Sequence, residues 1–135
     1  MKNIFLLLAF LSVPLCMGLA QTDESITSMD FVEVVDNQVE ETVYYYENNW
    51  LVLRKKAIED KAIKDYGLFI SPATEKDPAY IVLVTTYANK EQFDNRENYF
   101  GKLIEARGER KLLNEKQPSE FRKFTAGSEK LKKLF

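Results

Sequence analysis

The residues best equipped for chemistry lie in one run, Tyr44-Tyr45-Tyr46-Glu47-Asn48-Asn49-Trp50-Leu51-Val52-Leu53-Arg54. Tyr46 and Trp50 are four apart and share one face of a helix, and Phe100 lies on the inner side of a second helical segment. Rings placed this way can wall a pocket for a flat apolar or aromatic molecule. Asn48, Asn49 and Arg54 are the polar groups nearest that stripe, and such groups can hold a substrate oxyanion. The candidate ligand-binding residues are therefore Tyr46, Asn49, Trp50, Arg54 and Phe100. An aromatic stripe at helical spacing serves equally well as core or dimer interface, and an arginine late in a helix serves equally well as a solvated charge.

The other charged groups offer less. Glu40-Glu41, Glu59-Asp60 and the Asp94/Glu97 pair could bind a divalent cation or share a proton. With Lys90, Arg96 and Lys102 beside the last pair, they read more simply as solvated helix faces with i,i+3 and i,i+4 pairs. No dense loop of oxygen ligands is present, so neither a metal nor another cofactor is expected. The chain contains no histidine and a single cysteine, Cys16. No Ser-His-Asp or Cys-His nucleophile and no ordinary histidine-ligated zinc or haem site can be assembled from it.

Lys2, the apolar run Ile4 to Leu15 and the small-residue pattern Gly18-Leu19-Ala20 follow the order of a secretory signal peptide. Residues 1–20 are expected to be removed near Ala20, giving a periplasmic or extracellular protein. The apolar run is too short to cross a hydrocarbon core of about 30 Å and contains Pro14, so no stable membrane anchor is expected. Cys16 admits an alternative, a lipid-bearing signal, but Leu15 stands where a small residue would be needed. Cleavage takes one of 19 basic residues, Lys2, and none of 21 acidic ones, moving the net charge from −2 to −3. That balance argues against a nucleic-acid partner held through phosphates. The remainder is one domain's length, and without cysteine it must be held by its apolar core.

The elements that must position the aromatic run follow from patterning. Residues 21–28 are polar and read as a linker, with the domain proper over 29–127. Phe31 to Val35 is a β-branched and aromatic strand. Asn37, with Glu40 three residues on, predicts a capped helix to about Glu59, with an inner stripe of Val39, Val43, Tyr46, Trp50, Leu53 and Ala57. Ile63 to Ile70 predicts a strand, 72–78 a loop with two prolines, and Tyr80 to Tyr87 the strongest strand of the chain. Asn89 and Gln92 predict a second capped helix, with Phe93, Phe100, Leu103, Ile104 and Arg107 on its inner side to Gly108. Pro118 to Thr125 is a shorter strand candidate, and 128–135 a basic tail. The order is β-α-β-β-α-β, an α+β fold of ferredoxin-like type.

Two helices on one face of an antiparallel sheet leave the other face to water, where polar alternation is expected. The strand Tyr80 to Tyr87 is instead apolar in both directions through its centre, and the aromatic run covers well over half of its helix. A homodimer whose sheets face each other would cover the surplus.

Over roughly Met29 to Thr125 the chain resembles the dimeric α+β barrels, through its element order, the segment Glu47 to Arg54 and Tyr87-Ala88-Asn89-Lys90. That family includes antibiotic-biosynthesis monooxygenases, haem-degrading monooxygenases and many small proteins of unassigned function. The resemblance implies a sheet-to-sheet homodimer with a small-molecule pocket. The haem-degrading branch uses an asparagine, a strand tryptophan and a histidine on the second helix. Here the sole tryptophan, Trp50, is on the first helix and histidine is missing, so that activity does not carry over. Three functions remain open: binding of a small apolar or aromatic ligand, cofactor-independent oxygenation with Tyr46, Asn49 and Trp50 positioning the substrate, and an interaction module of the cell envelope.

Overall fold

The structure, a computed structural model, describes residues 23–134. The expected signal segment and Cys16 lie outside the described residues. Four strands, β1 (Ile26–Val34), β2 (Asp65–Ser71), β3 (Tyr80–Tyr87) and β4 (Arg122–Leu131), form one antiparallel sheet in the order β2-β3-β1-β4. The fold is α+β. β3 has the bounds its sequence predicts, because every residue from Tyr80 to Tyr87 is β-branched, aromatic or apolar.

Two strands are longer than expected. β1 begins at Ile26, inside the segment expected to be a linker, and its polar start is matched by its partner. Thr27 pairs with Thr86 and their hydroxyls lie 2.9 Å apart, while Ile26 pairs with Tyr87 and is buried. Cross-strand partners, not hydropathy, make this segment a strand. At the other end, Pro118–Phe121 is a single helical turn, α5, with Pro118 in its first turn and Glu120 accepting a hydrogen bond from the Gln117 N–H. The strand proper starts at Arg122 and runs on to Leu131, through residues expected to be tail. Ile63 precedes β2 and is buried in the connection instead.

The first helical passage has three parts: α1 (Val39–Tyr45), a π-helical turn (Tyr46–Trp50) and α2 (Leu51–Glu59). Asn37 does not cap it. Asp36 and Asn37 take positive φ values of 50° and 54° in a 3₁₀ turn, and the helix starts after Gln38, whose carbonyl accepts from the Thr42 hydroxyl. The π turn inserts a residue into the helical count, so the buried line runs through Thr42, Tyr45, Tyr46, Asn49, Leu53 and Ala57. Val39, Val43 and Trp50, expected on the inner stripe, are half-buried and pack at its margin. The second passage, α3 (Lys90–Asp94) and α4 (Arg96–Arg107), breaks at Asn95. Asn89 caps it as its sequence predicts, accepting from the Gln92 N–H at 2.9 Å, and the Gln92 side chain accepts from the Ala88 N–H at 2.7 Å.

The core lies on one face of the sheet. Alternate residues Val32, Val34, Ile81 and Leu83 pack with Tyr45, Tyr46, Ala79 and Phe121, and Ile26 and Tyr87 pack with Leu53, Ala57, Ile63, Phe93 and Phe100. The intervening residues Met29, Phe31, Val82 and Val84 form the opposite face, joined by Phe69 of β2. Phe31 and Phe69 are exposed there, and no charged residue stands in the centre of this face. Among the described residues no helix is long and apolar enough to cross a membrane.

Candidate functional site

Between the helices and the core-bearing face of the sheet is an open cavity of about 460 Å³. β1 contributes Asp30 and Val32, and β3 contributes Leu83. The first helical passage supplies Tyr45, Tyr46, Asn49, Trp50 and Arg54. Ile104 and Arg107 come from α4, Arg110 from the connection after it, and Arg122 and Phe124 from β4. Tyr45 and Asn49, like Tyr46 and Trp50, are four residues apart, so each pair shares a face on consecutive turns, and all four line the cavity.

Arg54 crosses the floor. Its Nε donates to Thr85 Oγ1 at 3.1 Å, and its guanidinium carbon lies 4.5 Å from the Trp50 ring centroid and 3.9 Å from that of Phe100. Stacking of this kind contributes roughly 0.5–2 kcal/mol per ring. Burial pushes the guanidinium down to about 10, against the opposing pull of Tyr87 and Asp30, and leaves it charged at neutral pH. Asp30 shifts the other way: burial raises its carboxyl, and the field of Arg54 only partly offsets this.

Tyr46 accepts a hydrogen bond on its hydroxyl from Arg122 Nη1 at 2.9 Å. Burial raises its phenol, and the Arg122 charge opposes the rise. The Arg122 guanidinium also lies over the Tyr45 ring, 4.9 Å from its centroid. Trp50 meets Tyr66 edge to face at 6.3 Å.

Asn49 is buried, and its hydrogen bonds are committed to backbone. Its Nδ2 donates to the carbonyls of Tyr45 at 2.9 Å and Lys111 at 2.8 Å, while its Oδ1 accepts from the Lys111 N–H at 2.9 Å. It fastens the connection after α4 to the π turn and has no amide hydrogen left for a ligand.

Of the residues expected from sequence, Tyr46, Asn49, Trp50 and Arg54 meet at the cavity. Phe100 stands behind Arg54 in the core and borders a separate cleft with Tyr87 and Tyr99. Sequence reasoning missed Asp30, Arg107, Arg110, Arg122 and Phe124, which arrive from four different places in the chain. The only signal available was arginine usage: the chain has five arginines among 19 basic residues.

Of the carboxylates expected to form helix-surface pairs, Glu59, Asp60 and Asp94 do so at i,i+3 or i,i+4, whereas Glu97 meets its neighbour Arg96 and Glu41 is buried. Asp60 and Glu59 pair with Lys56 at 2.6 and 3.8 Å, Asp94 with Lys90, and Glu97 with Arg96 at 3.5 Å. Glu41 binds Lys116 at 2.6 Å, and this hydrogen bond holds its carboxyl below the ordinary range. Among the described residues no group of three acidic side chains is placed to hold a metal ion.

No protein-family model matches the chain, and no curated protein matches it.

Proposed function

We propose that the protein is an exported homodimer that binds a small organic molecule with an aromatic or apolar body in the cavity between helices and sheet. The observation that carries this reading is the cavity itself, about 460 Å³ and within the 300–1,000 Å³ range of small-molecule sites, with the rings of Tyr45, Tyr46, Trp50 and Phe124 on its walls. In support of a ferredoxin-like arrangement, β3 lies between β1 and β2, and β1 lies between β3 and β4, so each strand-helix-strand unit is split by a strand of the other. In support of the dimer, Met29, Phe31, Phe69, Val82 and Val84 give the helix-free face an uncharged apolar centre, which a second copy of the same sheet would bury symmetrically.

The oxygenase reading asked Asn49 to help position a substrate, and the commitment of both its amide hydrogens to backbone carbonyls weighs against that role. Ligand binding needs no such group.

Trp50 is the only tryptophan, so its emission reports on the cavity directly. Titration with neutral naphthalene derivatives should change that emission saturably, and Ile104→Phe, which fills the mouth, should abolish the change. A panel of such compounds leaving the emission unaltered would refute the binding reading. Sedimentation equilibrium at micromolar concentration should give a dimer that Val84→Asp converts to monomer; a monomeric parent protein would refute the sheet-to-sheet contact.

A further inference from the structure

We infer that the cavity takes an organic oxyanion, an apolar or aromatic body bearing a carboxylate or phosphate head, with the head held by Arg54, Arg107, Arg110 and Arg122. This rests on the reading of the cavity as a ligand site and adds the chemistry of what enters it.

The arginines are segregated. Of five in the chain, four line this cavity, while among the described residues no lysine does. Lysine suffices wherever a surface needs only a solvated positive charge. Arginine differs in presenting a planar fork of donors that matches the paired oxygens of a carboxylate or phosphate. A protein with a net charge of −2 has thus gathered four guanidinium groups around one cleft, with Asp30 as the only acidic residue in its lining among the described residues.

These guanidinium groups lack anionic partners. Among the described residues none of the four lies within 4.0 Å of a carboxylate, whereas Arg96, the fifth arginine, pairs with both Glu97 and Glu129. The side chains of Arg54 and Arg122 each have one protein acceptor, Thr85 and Tyr46, both neutral hydroxyls. The Nε atoms of Arg107 and Arg122 are buried and have no acceptor among the described residues. Like charges gathered in a half-enclosed space cost free energy, and an oxyanion bound among them relieves that cost. The rings of Tyr45, Trp50 and Phe124 border the same space, so the charged head and the apolar body have adjoining surfaces.

The test uses three ligands of one shape: 2-naphthoate, 2-naphthyl phosphate and neutral 2-naphthamide, titrated by calorimetry and Trp50 emission. At least one of the anions should bind ten-fold or more tightly than the amide, weakening as potassium chloride is raised, and the tighter of the two identifies the head group. Arg110→Gln and Arg107→Gln should bring anion affinity down toward that of the amide. Equal binding of all three would overturn the oxyanion inference and leave the ligand site standing. Binding of none would overturn both. Anion binding that neither arginine substitution weakens would place the anion elsewhere and overturn the inference. Circular dichroism of each variant separates loss of binding from loss of fold.

Discussion

Arg96 and Arg54 each stack on a phenylalanine, at 4.0 Å from Phe93 and 3.9 Å from Phe100, yet their surroundings differ. Arg96 donates to the Phe93 carbonyl at 3.0 Å and to Glu129 at 3.2 Å, and its Nε lies 3.5 Å from Glu97. Arg54 has one neutral hydroxyl and, among the described residues, no carboxylate within ion-pair distance. One end of the helix–sheet interface is electrostatically closed by its own residues; the other is left open around a cavity. The difference teaches that stacking alone does not mark a functional arginine. The missing counter-charge does.

The largest expected contrast lies in the rings. Phe93 is buried at the closed end, and Phe93→Ala should cost about 3–5 kcal/mol in urea denaturation. Phe124, 60 % exposed on the cavity wall, should cost under about 1 kcal/mol as Phe124→Ala while weakening naphthoate binding. Comparable stability losses would erase the distinction between a core ring and a cavity-wall ring.

A second contrast exchanges the arginines for methionine. Arg54→Met removes a buried charge that has no ion pair and fills its volume, so stability should change by less than about 1.5 kcal/mol while oxyanion affinity drops ten-fold or more. Arg96→Met should cost up to about 1 kcal/mol, through loss of its partly exposed pairs, and leave ligand affinity alone. If Arg96→Met weakened the ligand as much as Arg54→Met, the comparison would fail.

The smallest effect concerns pH. Burial raises the Asp30 carboxyl in the folded state, so the fold binds that proton more tightly than the unfolded chain does. Stability drawn from Asp30 is therefore present at acid pH and declines as pH rises past its ordinary value of about 3.9. Asp30→Asn does not titrate there. Its melting temperature should gain on the parent's as pH rises from about 3 to neutrality, and its oxyanion affinity at pH 7 should be slightly higher. A gain that instead shrinks over that range would reverse the assigned shift.

Much of the fold is written in local patterns. β3 declares itself through eight consecutive strand-forming residues, and the Asn89–Gln92 cap through three-residue spacing. The start of β1 and the end of β4 are not local: Thr27 and Ser28 become strand because Thr86 and Thr85 stand opposite, and Ser128 and Leu131 because they pair with Met29 and Thr27. The site divides in the same way. Tyr46, Asn49, Trp50 and Arg54 are close in sequence and helical period brings them together. Asp30, Arg107, Arg110 and Arg122 share no period, and only the crossing of the sheet by the two helical passages places them around one space. The π turn was illegible too, since nothing in Tyr46–Trp50 breaks helical spacing.

Asn49 gives that space a mechanical character. Its three hydrogen bonds tie Lys111, and hence the neighbouring Arg110, to the helix across the cavity. The mouth is consequently set before any guest arrives, and little chain entropy remains to be lost on binding. In hydrogen exchange the Lys111 amide should be the slow one in an otherwise fast-exchanging connection, because its release requires the asparagine latch to open.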